Sequence, residues 1–250
     1  MPDLLSEALA FEGLIWIGLA AFVAGMVRGF AGFGTALVYL PVAAQFMPPV
    51  WAILTVAAMD IFGPLPNLPG TVRIAHKRDL MRLFIGTVIA LPIGLLVIVS
   101  VNPDIIRYVI SGIALGMLVV LIAGLRYRGT VTAPMVYGIG GGAGFLGGVA
   151  GLPGPPVILF YMASPHGPAV IRANTNVYLF GYDLLLIAVL AITAQLAALP
   201  FVLGLLLAVP AVLGNWLGGV IFDPARERLY RAVAYIIIAA SAISGLPILT

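Results

Sequence analysis

Two breaks, GFAGFGT (29–35) and GLPGPP (151–156), interrupt otherwise apolar stretches at matching places in the two halves of the chain. A break of this kind ends one helix and starts another. The new helix begins with backbone N–H groups that have no intrahelical partner, and its dipole concentrates partial positive charge there. Such an end binds an anion without a buried cation, and glycine lets the ligand come close to the backbone. Gly29, Gly32, Gly34 and Thr35 in the first break, and Gly151 and Gly154 in the second, are therefore candidate anion-binding residues. The competing reading is that these glycines serve only close packing between helices.

Arg28 stands just before the first break, after an apolar run. A charge near mid-membrane costs about 2.5–3.5 kcal/mol on insertion scales, so it needs a partner or a role. It either pairs with an anionic substrate or snorkels to the membrane surface. Arg172 opens a second polar cluster, IRANTNVYLFGYD (171–183), in which Asn174, Thr175 and Asn176 are consecutive hydrogen-bonding side chains. Tyr178 and Tyr182 are four apart and share a helix face. The cluster lines a cavity or glues helices together. Asp60 and Asp183 are candidates for carrying a proton, since a carboxyl group shielded from water can exist in either form; each can equally be the ion-pair partner of Arg28 or Arg172. His166, between Pro165 and Gly167, reads as an exposed turn residue, and His76 belongs to a basic loop. Gln45, Asn67 and Asn215 are further polar residues able to line a path.

These residues sit in a chain of 250, of which 62% are hydrophobic and only 8% charged. A soluble domain of this size carries roughly 25% charged residues, so there is too little polar surface to cover one. Mean hydropathy of +1.18 agrees. The expected fold is an all-α integral membrane protein, and long apolar runs argue against a membrane β-barrel. With no cysteine, thiol catalysis, thiolate metal sites and disulfides are excluded. The net charge of +3 resides at helix ends, where topology explains it without nucleic acid. No zinc-protease, P-loop, Cys/His or paired-acid motif is present, so no metal or other cofactor is expected and the reading is not an enzyme. The acidic N-terminus does not read as a cleaved signal.

Along the chain, apolar runs at 14–27, 35–47, 50–70, 83–101, 105–125, 135–150, 157–164, 169–199, 202–222 and 229–249 predict about 8–10 helical segments. The short runs 35–47 and 157–164 are too short to settle whether they span or re-enter. At an offset of 119 residues, Ala24, Gly25, Gly29, Ala31, Gly32, Val38, Leu40, Ala44 and Pro49 meet identical types, through Ala143, Gly144, Gly148, Ala150 and Gly151 to Pro168. Asn102-Pro103 and Asp223-Pro224 open the last helix of each half. This predicts two repeats, 1–125 and 126–250, forming one transport domain. Arg73, Lys77, Arg78 and Arg82 fall in the loop 71–82, which the positive-inside rule places in the cytoplasm. Arg126 and Arg128, and Arg226, Arg228 and Arg231, fall on the same side if the second repeat is inverted, with Arg107 the exception. Both termini then face outward.

The runs GMVRGFAGFGTALVYLPV (25–42), GGAGFLGGVAGLPGPPVILFYM (141–162) and PAVIRANTNVYLF (168–180) resemble the sulfite exporter TauE/SafE family of membrane transporters. The resemblance extends over about residues 10–248. Here prolines 153, 155 and 156 intrude where that family often has consecutive glycines. The resemblance implies export of sulfite, a sulfonate such as sulfoacetate, or a related small anion across the cytoplasmic (inner) membrane. The expectation is a secondary transporter with a small anionic substrate, lipid as its surround and proton exchange as a candidate coupling; a homo-oligomer is left open. Paired interruptions in the two halves are the strongest sequence pointer to a transporter's midplane site. An anion channel, a membrane enzyme acting on a lipid phosphate or sulfur compound, and a plain scaffold bundle are the alternatives.

Overall fold

A computed structural model describes residues 2–65, 68–124, 132–163 and 167–248. His166, Asn67, Arg126 and Arg128 lie outside the described residues. The described residues are helical throughout, with no strand. In chain order the helices are α1 (Pro2–Leu9), α2 (Leu14–Ala31), α3 (Thr35–Ala43), α4 (Pro49–Asp60), α5 (Leu68–Ile74), α6 (Lys77–Ser100), α7 (Pro103–Ala123), α8 (Ala133–Ala150), α9 (Gly154–Ala163), α10 (Pro168–Ile192), α11 (Ala198–Ile221) and α12 (Glu227–Ser244). Ten of these fall on the apolar runs. Helices α1 and α5 are additional, and α5 with the first turns of α6 replaces most of the expected polar loop 71–82. Charge there does not prevent helix formation, because in the first turns of α6 Lys77 and Arg78 are exposed and Arg82 lies 3.7 Å from Asp79.

Helices α2, α6, α7, α11 and residues 169–192 of α10 are long and apolar enough to cross a membrane. The protein is a multi-pass membrane protein. By contrast α3 has 9 residues and α9 has 10. At 1.5 Å per residue each covers about 15 Å, half the hydrocarbon thickness.

The two halves begin and end their first helices in step. Helix α2 starts at Leu14 and ends at Ala31, and α8 starts at Ala133 and ends at Ala150, both 119 residues later. Thr35 and Gly154 start α3 and α9, and Pro49 and Pro168 start α4 and α10, at the same offset. The last helix of each half opens on one device. Asn102 Oδ1 accepts the N–H of Asp104 at 2.8 Å, and Asp223 Oδ1 accepts that of Ala225 at 2.9 Å. In each case proline occupies the intervening position, where its missing N–H costs nothing.

Each half lends a helix to the other. Helix α2 packs against α11, and α8 packs against α6. Glycine makes both contacts close. A Cβ on Gly25 or Gly29 would overlap carbonyls of Ala211 or Asn215 in α11, and one on Gly144 would meet the Thr87 carbonyl at 2.7 Å in α6. Without a hydrophobic driving force between helices in lipid, such backbone approach is what holds them together. Inside the second pair, Thr87 Oγ lies 2.9 Å from the Leu83 carbonyl, 3.0 Å from that of Gly140 and 2.7 Å from the Tyr178 hydroxyl, joining α6, α8 and α10.

Candidate functional site

Both breaks are helix ends in the left-handed conformation. Gly32 caps α2 with φ +79° and Gly151 caps α8 with φ +66°. A side chain is strained at such φ, which is why glycine stands there. The Gly32 N–H donates to the Arg28 carbonyl and the Gly151 N–H to that of Gly147, each at 2.8 Å. One interruption is thus built twice.

The two breaks line a single cavity. Gly32, Gly34 and Thr35 border it on one side, Gly151 and Gly154 on the other, with Arg28, Asp60, Tyr182 and Asp183 completing the polar lining. The start of α3 faces this space through Thr35, Ala36 and Leu37. By helix geometry the N–H groups of those three residues have no intrahelical acceptor. The start of α9 offers less. Its second and third residues are Pro155 and Pro156, which have no N–H to give. Prolines in the second break therefore remove amide donors that the sequence reading had assigned to it.

Arg28 lines this cavity. Its Nη1 lies 2.7 Å from Asp60 Oδ2 and 3.4 Å from Thr35 Oγ1, and the ion-paired side chains are 17% and 18% exposed. Asp60, the last residue of α4, is thus ion-paired with Arg28. Asp183, within α10, faces the same cavity and feels the charges of both Asp60 and Arg28. Tyr182 is buried, and its hydroxyl has no hydrogen-bond partner among the described residues while it borders the cavity.

A wider vestibule adjoins the cavity. Arg28 and Gly32 line both spaces. The vestibule adds Gly29, Arg172, Asn176, Asn215 and, from α5, Leu68, Thr71 and Ile74. The expected single cluster therefore divides. Arg172 and Asn176 face the vestibule, whereas Asn174 is fully buried and its Oδ1 accepts the His76 N–H at 2.7 Å, fastening α10 to the start of α6. Thr175 is half-buried and borders neither space. Gly29 lines the vestibule, but its tight fit against α11 also makes it a packing residue. Gln45 donates to the Pro41 carbonyl at 3.0 Å. His76 Nδ1 lies 2.9 Å from Asp79.

Sequence reasoning missed Ile53 and α5. Ile53 lines the cavity and presses on Gly151, where a Cβ would lie 2.8 Å from Ile53 Cγ1 and 2.8 Å from Leu40 Cδ1. An isoleucine in an apolar run carries no signal of its own; only its offset of 119 from Arg172 marks it. No group of three or more His, Asp or Glu side chains able to hold a metal ion occurs among the described residues.

No curated protein and no solved structure matches this chain. A family model does, that of the sulfite exporter TauE/SafE, over residues 17–245. That span takes in both breaks, the arginine, both aspartates and the vestibule, and the chain belongs to the TauE/SafE sulfite exporter family of membrane transporters.

Proposed function

We propose that this protein exports a small sulfur oxyanion or organosulfonate, of the size of sulfite or sulfoacetate, across the cytoplasmic membrane with a proton as the coupled ion. The observation that carries the reading is one cavity shared by both breaks and by Arg28. Thr35, Ala36 and Leu37 supply amide donors, Thr35 and Tyr182 supply hydroxyls, and the guanidinium supplies a planar fork that matches a sulfonate's oxygens. The two repeats are inverted relative to one another and rock about this site, so that it faces each side in turn.

Charge balance supports the coupling. Among the described residues the cavity is lined by one arginine and two carboxyl groups. With both carboxylates ionised its net charge is −1, and a monoanion would make it −2 in a poorly solvated place. One proton on the Asp60/Asp183 pair leaves the empty site neutral. When the anion takes Asp60's place on Arg28, a second proton keeps it neutral. Each monoanion bound thus brings about one proton with it.

The test is sulfite efflux from proteoliposomes, with a pH-sensitive dye reporting protons. Saturable efflux accompanied by proton movement is expected, and Asp60→Asn should uncouple the two. Absence of sulfite, sulfoacetate and sulfate flux from well-folded protein would reject the reading. Flux that persists with no proton movement would reject the coupling alone.

A further inference from the structure

We infer a second anion site, in the vestibule at Arg172, that captures the substrate before it reaches Arg28. It rests on the anion-transport reading above and adds a separate, earlier station.

Charge is the first reason. Arg172 is exposed and forms no ion pair among the described residues, whereas Arg28 is held by Asp60. Among the described residues, the vestibule lining contains two arginines and no carboxylate. Asn176 and Asn215 add carboxamide N–H donors on the same walls. An arginine fork with neighbouring amides is suited to a small oxyanion, and a wall of one sign concentrates such ions from solution.

Position is the second reason. An Arg172 Nη lies 3.8 Å from where a Cβ on Gly32 would sit. Gly32 borders both spaces, so Arg172 stands at the neck between them. An anion leaving Arg172 meets the Arg28 face next.

The third reason is the counterpart in the other half. Ile53 is 119 residues before Arg172, and each side chain lies beside the capping glycine of the opposite break, Ile53 closely and Arg172 at a distance. Ile53 seals Gly151 with apolar contact; Arg172 leaves Gly32 open. Were the position only a packing element of the repeat, both halves would be served by an apolar side chain. The charge at 172 answers to something that only one mouth meets.

That mouth belongs to the side of α5 and the basic start of α6, which the positive-inside rule makes cytoplasmic. Capture at Arg172 is therefore loading from the cell interior. The station is wet and wide, so it selects by charge and size class, and the inner cavity selects further.

Initial rates of sulfite transport, loaded from the face bearing α5, test this at low and high ionic strength. Arg172→Gln should raise KM about tenfold with the loss falling on KM and not on kcat, and flatten the salt dependence of kcat/KM. Arg172→Lys should recover most of the salt dependence. Asn176→Asp, which puts a carboxylate on the same wall, should raise KM in the same direction. Unchanged KM and salt dependence in both Arg172→Gln and Asn176→Asp would overturn the capture site, as would a defect confined to kcat. If wild-type protein moves no sulfite, sulfoacetate or sulfate, the export reading falls and takes this one with it; if wild type transports and the variants match it, only the capture site falls.

Discussion

The two breaks share a backbone plan and differ in nearly every atom that a ligand could touch. In the first, Gly32 is exposed to the vestibule and α3 begins with residues that keep their N–H groups. In the second, Gly151, Leu152 and Pro153 are buried, and Pro155 and Pro156 stand where Ala36 and Leu37 stand in the first. Arg28 has Gly147 as its counterpart, and the space beside Gly147 is filled by Tyr182. Arg172 has Ile53. Under the proposed function the first break holds and admits the anion, and the second closes the far side of the same cavity. The helix ends recur at one offset of 119 residues, whereas the side chains around them do not.

Removing the first break's cation should do the most damage. Arg28→Ala takes from the partly buried Asp60 its ion-pair partner and removes the only arginine among the described residues of the cavity lining. Truncating one member of such a pair costs 2–5 kcal/mol or more, so sulfite transport should fall by about 100-fold. Arg28→Gln with Asp60→Asn removes both charges and keeps hydrogen-bonding shapes, which separates lost binding from lost folding. In the second break, Pro155→Ala restores one N–H and should change the rate less than about threefold. Equal effects at Arg28 and Pro155 would break the comparison.

Accessibility sharpens it. The chain has no cysteine, so a single introduced thiol reports alone. Asn176→Cys lies on the open vestibule and Ile53→Cys on the sealed side. A membrane-impermeant thiol reagent should modify the first at least about tenfold faster, since the thiol must be reached by water to react. Similar rates would mean that both mouths are open or both closed. Under the alternating scheme, saturating sulfite should speed Ile53→Cys labelling from the opposite face and slow Asn176→Cys.

How much of this could be read from the sequence follows from the kind of signal each part leaves. The breaks were legible because glycine and proline punctuate an apolar chain, and because Leu14, Ala31, Thr35 and Pro49 bound helices that recur at Ala133, Ala150, Gly154 and Pro168. Arg28 was legible as an expensive residue, and its partner was one of two aspartates on offer. The polar cluster 171–183 was visible but not its division. Asn174 faces the His76 backbone across 98 residues of sequence, and nothing local distinguishes it from Asn176. Helix α5 and the start of α6 were hidden because charge reads as loop. Ile53 was hidden because an apolar seal looks like any other apolar residue.

The smallest expected effects concern glycines, and they separate packing from site. Gly148 faces α6 so closely that a Cβ would lie 2.6 Å from the Leu91 carbonyl, while Gly112 on α7 has open space around it. Overpacking of this kind typically costs about 1–3 kcal/mol, so Gly148→Val should lower the thermal midpoint in detergent by several degrees, with or without anion. Gly112→Ala removes backbone freedom from the unfolded chain and adds no clash, and should be neutral or stabilise by up to about 1 kcal/mol. Gly32→Ala tests a third role. Its strained φ predicts a modest loss of stability, and its place at the neck beside Arg172 predicts a transport defect larger than that loss explains. If Gly148→Val and Gly32→Ala lose transport only in proportion to stability, the first break is a packing device like the contacts around it. If Gly32→Ala falls below that line alone, the glycine at the neck serves passage as well as packing.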